Sequence, residues 1–70
     1  MKHYVAIPPW YKTMSPGMIQ YTFSVILEWL DTNVGMQGVD WDYVRGDLHA
    51  YGILFLEEQD ATAFKLRFEV

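Results

Sequence analysis

The stretch GILFLEEQDATAFKLRFEV (52–70) decides the architecture of this chain, because it admits two incompatible readings. Its start belongs to Tyr51–Leu56 (YGILFL), a nearly apolar run that reads as a strand covered on both faces, the centre of a sheet. Glu57, Glu58, Gln59 and Asp60 are poor strand residues, and acids gather where a helix N-terminus favours negative charge. Beyond them Ala61, Phe64 and Phe68 fall at i, i+3 and i+7, with Lys65 and Arg67 toward the end where a helix dipole prefers cations. The same residues Phe64–Val70 also alternate apolar and charged, as a strand does. A helix to about Leu66 with a frayed or extended tail is the favoured reading. Its rival is a short helix over about Glu58–Ala63 followed by a fourth strand.

Working back along the chain, Val39–Val44 (VDWDYV) alternates with period two and reads as a half-exposed strand, with Val39, Trp41 and Tyr43 on one side. Arg45-Gly46-Asp47 supplies a hairpin turn, and Gly35–Gly38 a flexible connection. Ser15-Pro16 opens a helix: the hydroxyl can accept from orphan amides, and proline suits a first turn whose N–H has no partner anyway. That helix is expected to run to Asn33 or Val34, with Gly35 closing it. At the start, His3–Ile7 is a strand stopped by Pro8-Pro9, and Pro8–Met14 is a loop. The order is β-α-β-β-α, or the same with a fourth C-terminal strand. Either describes one α+β domain over residues 1–70, a small two-layer sandwich that is ferredoxin-like or half of such a fold.

Placed at about 100° intervals, the long helix carries three stripes. Ile19, Phe23, Ile26, Leu27, Leu30 and Val34 make the expected core face, and Gln20, Ser24, Glu28 and Asp31 a wet one. Met18, Tyr21, Val25 and Trp29 form a second apolar ridge. One sheet face needs only the first stripe, so something else must cover the ridge. Three fates are open. The ridge, with Trp10 and Tyr11 of the preceding loop, is a surface for a protein partner; or that loop and the second helix fold over it; or it meets its own copy in a two-fold dimer.

Seventy residues, 51% of them hydrophobic and 17% aromatic, make a single small domain far too apolar to stay disordered. A chain of this size buries only about 60% of its extended surface, so surplus apolar area is expected outside the core. With no cysteine there is no disulfide and no thiolate metal site. A net charge of −4 with five Lys and Arg argues against a nucleic-acid backbone as partner. Met18–Leu30 carries Gln20, Thr22, Ser24 and Glu28, so no membrane span is expected. The apolar run Tyr4–Ile7 is too short for a secretory signal, and the expected location is the cytoplasm.

No constellation converges on chemistry. His3 and His49 with Asp40, Asp42 and Asp47 lack the spacing of a zinc site, so no metal or cofactor is expected. Ser15 and Ser24 are explained by capping and by the wet stripe, and Glu57, Glu58 and Asp60 by a helix start. Gly35 and Gly38 are too few for a phosphate cradle, and Arg45-Gly46-Asp47, an integrin-type tripeptide, is discounted as chance. An interaction protein is the leading reading. The alternatives are a small enzyme or enzyme subunit using Asp40, Asp42 and His49, and a single-stranded nucleic-acid binder stacking bases on Trp41, Tyr43 and Tyr51.

Phe55, then Asp60-Ala61, then Phe64-Lys65-Leu66-Arg67-Phe68 resembles the last segment of small uncharacterised tailed-phage proteins. The likeness covers about a quarter of the chain. It implies a phage origin and a non-enzymatic role, binding a host protein inside the host cell. It carries over no site residue.

Overall fold

The computed structural model describes residues 2–45 and 50–70. The expected turn at Gly46-Asp47, and His49, lie outside the described residues, as do the side chains of Tyr11 and Tyr51.

The chain begins with strand β1 (His3–Ala6), ended by Pro8-Pro9 and a 3-10 turn at Trp10–Thr13. Helix α1 (Pro16–Asn33) starts as its sequence dictates: Ser15 is extended at the N-cap, and its Oγ accepts from the Met18 amide at 3.3 Å. It stops at Val34, whose N–H donates to the Leu30 carbonyl at 2.9 Å, and Gly35 follows with φ of 146°, a conformation glycine adopts without penalty. Strands β2 (Trp41–Arg45) and β3 (Ala50–Phe55) come next, then helix α2 (Glu58–Phe68).

The sheet order is β1-β3-β2, with β3 antiparallel to both neighbours, so the apolar YGILFL run supplies the central strand as expected. One row aligns His3, Phe55 and Trp41, the next Val5, Ile53 and Tyr43; both face the helices. The core is Val5, Ile7, Ile26, Leu30, Trp41, Ile53, Phe55, Ala61 and Phe64. Among the described residues no polar or charged side chain is buried.

The favoured helical reading of the C-terminus holds, while its rival and two further expectations need correction. There is no fourth strand at the C-terminus: residues 58–68 are helical, and Glu69 closes the helix in a left-handed conformation with φ of 57°. The helical set Ala61, Phe64 and Phe68 won over alternation because it packs three side chains on one face, leaving Leu66 outside at 76% exposure. The α+β two-layer arrangement stands, but the four-stranded sheet of a complete ferredoxin-like fold is not formed. Second, β2 starts at Trp41 and not at Val39. Residues 36–40 instead make a tight turn in which the Val39 and Asp40 amides both donate to the Met36 carbonyl. Third, Leu27, assigned to the core stripe, is exposed. The buried line of α1 runs through Ile26 and Leu30 of the first stripe, with Phe23 and Val34 partly buried beside them, so Leu27 at the stripe's far edge is left out.

Candidate functional site

Helix α2 runs back antiparallel to α1 and settles the upper part of the second ridge. Trp29 is half-buried, edge-on to Phe64 (ring centroids 6.0 Å apart, 64°) and to Phe68 (5.7 Å, 82°). Of the residues read as a partner surface, Trp29 is therefore engaged within the chain by α2. Tyr21 and Met18, about two and three turns nearer the helix start, stay exposed, Tyr21 at 66%.

Between these exposed positions and the end of α2 lies an open groove of about 370 Å³. It is lined by Tyr21, Thr22 and Val25 of α1, by Arg67 and Phe68 of α2, and by Trp10 and Met14 from the segment before α1. The lining is mostly apolar. Two contacts fix its walls. The Thr22 hydroxyl donates to the Met14 sulfur at 3.8 Å, and the Arg67 guanidinium lies 4.8 Å from the centre of the Phe68 ring. The groove thus gathers Trp10, Tyr21 and Val25 from the expected partner set, with Met18 exposed on the same helix. Sequence reasoning missed Met14, Arg67 and Phe68. Arg67 and Phe68 reach the groove only because α2 folds back over α1, and no local pattern signals that.

The other candidates are not assembled. Asp40 accepts from the Met36 amide at 2.9 Å, and Asp42 Oδ1 accepts from its neighbour, the Tyr43 amide, at 2.8 Å and from Gln37 Nε2 at 3.4 Å. Both carboxylates serve the turn and strand that carry them. Among the described residues no three His, Asp or Glu side chains converge as metal ligands. Trp41, read as part of an exposed stacking platform, is 3% exposed, and its indole N–H donates to the Gly35 carbonyl at 3.0 Å. It is a core residue that ties β2 to the end of α1. Among the described residues no helix is long and apolar enough to cross a membrane.

The helix-free face of the sheet is also partly apolar. Tyr4 and Val44 are exposed there and Leu54 is half-buried, while Gly52 is buried under the Tyr4 ring. Comparison with protein-family models, with curated proteins and with solved structures finds no match.

Proposed function

We propose that this chain is a small protein-interaction module that receives its partner in the groove between the start of α1 and the end of α2. The observation that carries this reading is the half-covered ridge. Helix α2 shields Trp29 but leaves Met18, Tyr21 and the Val25 side of α1 beside an open, mostly apolar groove. Exposed aromatic and methionine side chains around such a groove are the composition of a recognition surface. Among the described residues no three His, Asp or Glu side chains stand together as metal ligands. The resemblance of residues 55–68 to small tailed-phage proteins supports a finer version, a phage-encoded modulator that acts on a host protein in the host cytoplasm.

The test is capture from host lysate by three immobilised forms: the native chain, Met18→Glu/Tyr21→Glu, and Leu66→Glu as a surface control on the far side of α2. Circular dichroism confirms that all three are folded. A protein retained by the native chain and the control but released by the groove variant supports the reading. Identical retention by all three overturns it.

A further inference from the structure

Charge along this molecule is segregated by pole, and the polarity identifies the occupant of the groove. At the pole holding the groove stand four of the five basic residues: Lys12 in the 3-10 turn beside Trp10, Arg45 at the end of β2, and Lys65 and Arg67 in the last turn of α2. The topology puts them there together. The β1 and β2 C-terminal ends lie side by side across β3, since Ala6 and Val44 both pair with Gly52, and the last turn of α2 lies beside Tyr21, Thr22 and Val25 of α1. Glu69 is the one acid described at that pole. At the opposite pole are Lys2 and the acids Asp40 and Asp42 at the head of β2, Glu57, Glu58 and Asp60 at the head of α2, and Asp31 near the end of α1, while Glu28 stands between the poles, one helical turn from Val25. The antiparallel helix dipoles oppose one another, so the side chains set the polarity.

We infer that the groove takes an acidic, amphipathic segment of a protein partner: apolar side chains in the groove, Asp and Glu toward Arg67 and Lys12. This inference rests on the docking reading above and adds the partner's chemistry to it. Arg67 is the central residue. It is the one charged residue in the groove lining, and its guanidinium lies 4.8 Å from the centre of the Phe68 ring. A chain of net charge −4 repels acidic partners in general, but charges act over only about 8 Å at physiological salt, so the local cations govern the groove. The same arrangement disfavours a two-fold pairing through the groove, which would bring Arg67 and Lys12 of two copies together.

The experiment is selection of a displayed library of random 16-residue peptides on the native chain, counter-selected on Met18→Glu/Tyr21→Glu. Enriched peptides are expected to combine apolar residues at helical or alternate spacing with an excess of Asp and Glu. Arg67→Glu should weaken them about three- to tenfold, and raising the salt should weaken them on the native chain but not on Arg67→Glu. Groove-dependent peptides that are neutral or basic on average overturn the partner assignment while leaving the docking reading standing. Enrichment independent of Met18 and Tyr21, or self-association of the chain through the groove in sedimentation, overturns both.

Discussion

Trp29 of α1 and Phe68 of α2 meet edge to face, 5.7 Å apart and 82° from coplanar, and that contact divides the second apolar ridge of α1 into a covered half and an open half. Trp29 is packed against the core, whereas Tyr21 and Val25, on its N-terminal side, line the groove.

Trp29→Ala should therefore destabilise the domain, whereas Tyr21→Ala should not. Losing a half-buried indole with two ring contacts is expected to cost about 2–4 kcal/mol, and truncating an exposed tyrosine less than about 0.5 kcal/mol. Urea titration followed by circular dichroism measures both. Equal losses would mean that the ridge is not divided.

The C-terminal helix makes a sharper contrast. Phe64 is fully buried and Leu66 is exposed, although an alternating strand would place both on one face. Phe64→Ala should cost about 3–5 kcal/mol, enough to unfold a domain of this size, while Leu66→Lys should leave stability within about 0.5 kcal/mol. Comparable destabilisation by both substitutions would restore the strand reading of residues 64–70.

Much of the fold was legible because its signals are local. Ser15-Pro16 and Gly35 bound α1 through chemistry contained within a few residues, and the apolar run of β3 announced a central strand. The start of β2 was not legible. Met36 to Asp40 fold into a turn that happens to space Val39 and Trp41 two residues apart, and period two alone does not separate a turn from a strand. The burial of Trp41 and Trp29 and the place of Arg67 depend on which distant element each meets, and that is decided by packing between segments tens of residues apart. Half of the proposed surface, Trp10, Tyr21 and Val25 with the nearby Met18, could be read as apolar surplus on one helix and one loop. The α2 wall could not.

Gly52 offers a test of the helix-free sheet face. A Cβ there would collide with the Tyr4 ring, so Gly52→Ala must displace the ring and is expected to cost about 1 kcal/mol. In a Tyr4→Ala background the same change should become neutral or stabilising by about 0.5–1 kcal/mol, since alanine loses less backbone entropy in a strand than glycine. A double-mutant cycle in urea reads the coupling, and zero coupling would contradict the contact.

Gly35→Ala should be the most damaging of the glycine substitutions. It combines a φ of 146° with the Asp40 carboxylate occupying the position a methyl group would take. A loss of about 2–3 kcal/mol is expected, with thermal unfolding as the readout. Asp40→Ala relieves the crowding but leaves the Met36 amide without its acceptor, so the double variant should recover only part of that loss.

The most direct measurement is chemical-shift mapping of the isotope-labelled chain during titration with a peptide from the selection. The account predicts that perturbations centre on the Trp10 indole N–H, the Met14, Met18 and Val25 methyls and the Arg67 side chain. Perturbations confined to Tyr4, Val44 and Leu54 on the helix-free face of the sheet, with the groove signals unmoved, would contradict it.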